Sequence, residues 1–441
     1  MRDVDIFQMA LGLTPPWEVE SCEFSPEKKR LDIRLSFPRG SVFVCPECGK
    51  GGLTAYDTTD KSWRHLNFFQ HEAWLSARVP RVKCERCGVR LVCVPWARPG
   101  SGFTLLFEAL VMSLVKAMPV KTLAEKSGES DTRIWRMFRH YVDEARERQS
   151  HADVSSFGVD ETACKRGHNY VSVFVDMATH RVLFATEGKD AATLERFKAD
   201  FEAHGGAPEQ VGEVCCDMSQ AFVAGVEKNF PKAHITFDRF HIMKVLNEAV
   251  DEVRREEAKT RPELTKSRYV WLKNPGNLRQ GQKEQLAALT LPRLNLKTAR
   301  AWHIKLNFQE LFQQPPEEAQ GFLKRWSFWA THSRLEPIKR AAATIRRHWD
   351  GILRWFTSKL TNGILEGLNS LIQAAKARAR GYRTTTNLIA MIYLLGAKLN
   401  FALPSEEPAF EAQDSHRVCQ PLPQTLPYSV FPIPEHAKKQ V

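Results

Sequence analysis

Apolar and polar positions repeat with two different periods along this chain, and the changes of period divide it. Leu31, Ile33 and Leu35 occupy every second place of LDIRLSF, with Asp32, Arg34 and Ser36 between them, as in a half-buried strand. Short runs of this kind, broken by turns, continue to about residue 95. The period then becomes helical: Phe103, Phe107, Leu110, Leu114 and Val115 share one face until Pro119 stops them. A short second helix, VKTLAEKSG, ends at Gly128, and Ser130 or Asp131 can cap a third, TRIWRMFRHYVDEARER. From residue 152 to 245 strands and helices alternate. SSFGVDE and NYVSVFVDMATH read as strands, and RVLFATEG pairs back across the Ala178–His180 turn. A helix (AATLERFKADFEAHGG), a buried strand (EVCCDMS), a helix (QAFVAGVEKNF) and a strand (HITFDRFHI) follow. Three strands in series, then helix–strand–helix–strand, is a mixed-sheet α/β order. Residues 246–350 are charged, Trp-rich and helical, whereas the tail after Leu403 holds seven prolines and little periodicity.

Composition narrows the class. With 441 residues, 43% hydrophobic and 10% aromatic, the chain can bury several cores and is not a disordered polypeptide. Its net charge of +12 suits a polyanionic partner, although a solvated basic surface gives the same sum. Met1–Asp5 already holds three charges, unlike a signal segment, and the apolar stretch Leu388–Leu395 is too short for a membrane span. A soluble, cytoplasmic protein with no membrane partner is expected. The ten cysteines agree with this, because four of them form two knuckles, Cys45-Pro-Glu-Cys48-Gly and Cys84-Glu-Arg-Cys87-Gly, 35 residues apart. Two such thiolate pairs make a closed, structural site for one Zn²⁺, and the spacer is long enough for an inserted hairpin. A redox dithiol is the alternative, but it needs no second copy. His65 and His71 are spare ligand candidates, and Cys93 reads as a buried thiol.

The basic helix and three acids carry the remaining chemistry. Two short helices joined at a glycine, then a helix bearing Arg133, Arg136 and Arg139, have the layout of a helix-turn-helix. Asp131, Thr132, Arg133 and Arg136 are then the DNA contacts, and Trp135, Met137 and Phe138 the core. A helical connector with a solvated basic face is the alternative. Asp160 and Asp217 each end an apolar strand run, where α/β sheets open to ligands. Glu366 lies on a helix with two unlike faces. Asn362, Glu366, Asn369, Gln373, Lys376 and Arg380 form a polar stripe, while Leu365, Leu368, Leu371, Ile372 and Ala375 are expected to pack on the sheet. Lys376, Arg378, Arg380 and Arg383 continue the stripe as phosphate contacts. Three carboxylates suit two Mg²⁺ or Mn²⁺ ions, which favour oxygen ligands and promote in-line phosphoryl transfer. Asp238 and His241 border this site or serve structure, and Glu161 is a weaker ligand candidate.

The strings GVDE…VFVDMATHRVL, CCDMSQAF, FDRFHIMK and TNGILEGLNSLIQAAKARARGYR, with the double CxxCG before them, resemble DDE-type insertion-sequence transposases of the ISL-three family. The likeness runs over roughly residues 40 to 400. It implies a multidomain α/β protein: a zinc-binding domain (1–98), a helix-turn-helix (99–150), and a ribonuclease-H-like catalytic core (151–245 and 351–402) interrupted by an all-helical insertion (246–350). The tail, 403–441, falls outside it. The family's three catalytic acids fall on Asp160, Asp217 and Glu366. The implied activity is metal-dependent cleavage at terminal inverted repeats and strand transfer into target DNA. A homodimer or larger assembly on double-stranded DNA, in a bacterial nucleoid, is expected with it. The alternative is a catalytically silent DNA-binding regulator derived from a transposase.

Overall fold

The computed structural model describes residues 3–165 and 169–403, so the expected proline-rich tail lies outside the described residues from 404 onward. Two compact units divide the chain at Phe138/Arg139, with residues 401–403 grouped with the first.

In the first unit a helix, α1 (Asp3–Ala10), precedes six strands: β1 (Glu18–Ser25), β2 (Arg30–Ser36), β3 (Val42–Phe43), β4 (Leu53–Phe68), β5 (His71–Cys84) and β6 (Gly88–Leu91). Their order is β1-β2-β5-β4-β3, with β6 on β5. The alternation in β2 is the one expected, since Leu31, Ile33 and Leu35 are buried together with Leu75 and Val79 of β5. Trp17, Trp63 and Trp96 close this core in edge-to-face contacts. The spacer between the cysteine knuckles is the long β4–β5 hairpin. Cys93, expected as a buried thiol, is instead half-buried and disulfide-bonded.

Three helices follow: α2 (Leu105–Leu114), α3 (Val120–Ser127) and α4 (Asp131–Glu147). The Thr104 hydroxyl caps α2 by accepting from the Phe107 N–H. Gly128 ends α3 at φ 71°, a left-handed position where glycine avoids the Cβ clash. Below the α3–α4 turn, Arg64 is fully buried, donating to Ala73 O at 3.1 Å and Ser127 O at 3.4 Å. Its nearest carboxylate is Glu129, at 3.9 Å. The turn is thus anchored to the sheet by one buried cation.

The second unit is built on five strands: β7 (Ser156–Lys165), β8 (Asn169–Asp176), β9 (Val182–Glu187), β10 (Glu213–Cys216) and β11 (His234–Phe237). Their order is β11-β10-β7-β8-β9, antiparallel through the first three in sequence and parallel from β7 to β10 to β11. The first and fourth strands are therefore neighbours. Helices α5 (Ala191–Ala203) and α6 (Gln220–Asn229) pack on this sheet, and Phe157, Phe174, Phe197 and Phe230 interlock without solvent exposure. Each such ring contributes roughly 1.5–3 kcal/mol by burial.

Helix α7 (Arg239–Glu257) runs from the sheet into the helical region without a break at residue 246. There follow α8 (Arg268–Leu272), α9 (Gln280–Leu289), α10 (Lys297–Glu310), α11 (Pro316–Thr331), α12 (Glu336–Arg347) and α13 (Trp349–Ser358). Trp271, Phe308 and Trp326 share one buried cluster with Phe157 and Phe197, so these helices extend the core of the sheet. Gly351 lets α13 seat on β11, because a Cβ there would come within 2.4 Å of the Phe237 ring. The chain ends its described course with α14 (Gly363–Arg378) and α15 (Thr385–Gly396). Tyr393 of α15 accepts from the Ala185 N–H of β9 at 3.0 Å. Ahead of β7, His151 is fully buried. Burial, followed by His204, pushes its imidazole down to about 3, so it is neutral in the fold.

Candidate metal centres and nucleic-acid interface

The first candidate centre lies in the first unit, where the β4–β5 hairpin brings the two knuckles together. One sulfur from each of Cys45, Cys48, Cys84 and Cys87 lies within 4.8 Å of all the others, and Cys48 and Cys84 are 3.5 Å apart. A tetrahedral zinc with Zn–S bonds of about 2.3 Å spaces its sulfurs by roughly 3.8 Å, so the quartet fits. Gly49 and Gly88, which follow each knuckle, have φ of 72° and 74°. No side chain would crowd a Cβ at either glycine, so the requirement is one of backbone conformation. The N–H groups of Cys87 and Arg86 pull the Cys84 thiol down to about 7, whereas desolvation and its sulfur neighbours push Cys87 up to about 12. A cation is what allows all four to ionise together. His65 and His71 are not among these ligands. The His65 ring contacts the Thr104 hydroxyl at 2.9 Å, and burial holds its pKa down at about 4; His71 packs edge-on to Phe24.

The second candidate centre is assembled from distant parts of the second unit. In the β7–β10 register Gly158 faces Cys215, so Asp160 and Asp217 are equivalent positions two residues further along parallel strands. The strand period of two sends both side chains to the same face. Both are half-buried. Burial pushes the Asp160 carboxyl up, with Asp217 and Asp238 adding to the rise, while the Glu161 N–H and His241 oppose it. Asp217 accepts from the Ser219 N–H at 2.9 Å. Among the described residues no lysine or arginine forms an ion pair with Asp160, Asp217 or Glu366.

Helix α14 lies against β7 because Gly158 has no side chain: a Cβ there would meet Leu365 at 2.7 Å and Met177 at 2.8 Å. Asn369 then donates to Asp160 at 3.0 Å, and the Asn362 N–H donates to Asp238 at 3.2 Å. Glu366 is exposed in the first turn of α14, on the face that runs from Asn362 to Asn369. The acids share one end of the sheet without closing to ligand spacing. Among the described residues, the only groups of three or more that place ligand atoms within 4.8 Å of one another are the four cysteines and the trio His151, Asp200 and His204. An all-oxygen set without a lysine or arginine partner fits a site that a divalent ion would draw together. The carboxamide of Asn362 is a second pointer. It is buried, and neither its oxygen nor its nitrogen has a partner. Its place in the polar stripe was visible in the chain, but its burial was not.

Several expected contacts are used differently. Asp238 caps α7 through the Phe240 N–H, in addition to holding Asn362, so its carboxylate is engaged in structure. His241 is half-buried and touches Asp160 only through charge. Burial also pushes Glu161 up, and Lys189 is its main opposing cation. The polar stripe of α14 clasps β7: Gln373 donates to the Thr162 hydroxyl at 2.8 Å, and Lys376 to Ala163 O at 2.8 Å. Leu371, expected on the packing face, is 57% exposed, because Leu365 and Ile372 alone make the tight contact. Arg378, Arg380 and Arg383 are exposed. On α4, Asp131, Thr132 and Arg136 are exposed, whereas Arg133 pairs with Glu129 and lies 4.2 Å from the Phe103 ring. Met137 and Phe138 are core, as expected, and Trp135 is half-buried. No helix among the described residues is long and apolar enough to cross a membrane.

Comparison with known proteins bears on all of these regions. A family model described as a transposase, of the ISL3 group, matches residues 157–392. The helix-turn-helix domain of transposase family ISL3 matches residues 92–142, and the zinc-finger of transposases IS204, IS1001, IS1096 and IS1165 matches residues 41–87. The chain is 30% identical to the transposase for insertion sequence element IS1557 of Mycobacterium tuberculosis, over 92% of this chain and 98% of that protein. It is 27% identical to the transposase for IS1001 of Bordetella parapertussis, over 85% and 94%.

Proposed function

This chain belongs to the ISL3 family of DDE transposases, and on that premise we propose that Asp160, Asp217 and Glu366 are its catalytic acids and the ligands of its divalent metal. The observation that carries the reading is the equivalent placing of Asp160 and Asp217 on adjacent parallel strands, with α14 docked beside them. The strand order, three antiparallel strands joined to two parallel ones, supports a ribonuclease-H-like core. Helices α8–α12 are then the insertion that separates the second acid from the third.

Each residue has a definite task. Asp160 and Asp217 offer carboxylate oxygens from a rigid sheet, and Asn369 fixes the Asp160 rotamer. Glu366 supplies a carboxylate from a helix, where it can swing by a rotamer change. Two Mg²⁺ or Mn²⁺ ions, when bound, supply an activated water or 3′-hydroxyl and neutralise the leaving oxygen. The α3–α4 unit reads the terminal inverted repeats through Asp131, Thr132 and Arg136, and Arg133 orients that helix. Arg378, Arg380 and Arg383 contact phosphates near the cut. Two element ends held together require a dimer or larger assembly on DNA.

The test is to incubate the protein with labelled element ends and Mg²⁺ and to map nicks to the nucleotide. Asp160→Asn, Asp217→Asn and Glu366→Gln should each lower cleavage by at least ~10³-fold, about 4 kcal/mol of barrier, while end binding stays within a few-fold. Full cleavage by any one of them removes that residue from the site.

A further inference from the structure

The structure assigns a further metal site, of the zinc class, to His151, Asp200 and His204. Each residue presents one ligand atom, and the three atoms lie within 4.8 Å of one another. The fold builds this group from two places. Asp200 and His204 are one turn apart at the C-terminal end of α5, so they share a face. His151 lies just ahead of β7, and its N–H donates to His204 O at 2.9 Å. These residues sit by the entry to β7 and β10, whereas Asp160 lies midway along β7 and Asp217 just past the end of β10. The two groups are therefore separated along the strands of the same sheet.

His151 points to a ligand independently. The residue is 0% exposed, and neither of its ring nitrogens has a hydrogen-bond partner. Buried imidazole nitrogens are rarely left so, because an unmade bond costs about 1–3 kcal/mol. A coordinate bond to a metal satisfies one of them. The His151 and His204 ring centroids are 4.7 Å apart, with their planes inclined by 27°. Asp200 already accepts from Arg146 at 2.9 and 3.0 Å, but a carboxylate has about four lone-pair positions, so it can bind a metal as well. The Nδ1 of His204 lies 2.7 Å from Asp200 O, the kind of second contact that orients a ligating imidazole. Two imidazoles and a carboxylate, with water as the fourth ligand, form a recurrent zinc set. His204 and Asp200 are 13% and 16% exposed, which leaves an edge for entry. The metal would tie the segment leading into the sheet to the end of α5.

The test counts zinc on the full chain. After equilibration with micromolar Zn²⁺ and excess Mg²⁺, wild type should hold one zinc per chain more than His204→Gln, and one more than His151→Phe, which keeps an aromatic ring in the stack. Asp217→Asn should retain that zinc, which separates this site from the acids. Equal zinc in wild type and both histidine variants, each folded by circular dichroism, overturns the assignment. Should the variants not fold, Co²⁺ titration of wild type decides. A second equivalent that adds visible absorption without more thiolate-to-cobalt charge transfer supports the site; saturation at the thiolate equivalent alone overturns it.

Discussion

The thiolate centre and the acid centre differ in how far their ligands travel and in how finished they are. The cysteines come from two knuckles joined by one hairpin, and their sulfurs already stand at ligand spacing. The acids come from two strands and a helix, and they share a sheet end without closing on one another. A closed site suits a metal that holds a fold together, because nothing need move once it binds. An open one suits a metal that must admit a substrate and change its ligands during reaction. The lesson is that a preformed cage marks architecture, and separated, unneutralised charge marks chemistry.

The largest expected effect breaks the closed side of this comparison. Cys45→Ser should release one zinc per chain and abolish cooperative melting of the first unit, since a structural zinc contributes about 10–16 kcal/mol. Metal analysis with a thermal melt checks this, and unchanged zinc content removes the site. A smaller effect sharpens the open side. Gly158→Ala puts a methyl group against Leu365 and Met177, an overpacking that should cost about 1–3 kcal/mol of stability and displace α14 from β7. Strand cleavage should fall well below end binding in this variant, measured on the same labelled ends. Equal losses of both would mean that the position of the helix does not govern the chemistry. The smallest effect concerns an outlying charge: Arg380→Ala should lower the salt dependence of DNA binding by about one unit in the log–log slope. An unchanged slope takes Arg380 out of the phosphate path.

What the chain revealed by itself follows the same division. The knuckles were legible because their chemistry is local: spacing and a following glycine suffice. The order of the strands along the chain was legible, because apolar runs and glycine stops mark it, whereas the pairing of the first with the fourth is seen only in the fold. The faces of α14 were harder to read. Periodicity marks Asn369, Gln373 and Lys376 as polar, but only packing shows that Asn369 is turned to the Asp160 carboxylate and Gln373 and Lys376 to the backbone of β7. Arg133 likewise reads as a DNA contact until Glu129 and Phe103 are seen to hold it. His151, Asp200 and His204 left no mark at all, because 48 residues separate His151 from Asp200 and only the fold joins them.

The long separation of the acids also has a consequence in time. Asp217 and Glu366 are 149 residues apart, which a ribosome takes roughly 7 to 30 s to add. During that interval the five strands are already made, but Trp271, Phe308 and Trp326, which complete their core, and Glu366 are not all present. A polypeptide that ends in the helical region carries the first unit with an unfinished sheet core and without Glu366. On the proposed assignment of the acids, every such truncated product lacks one of the three.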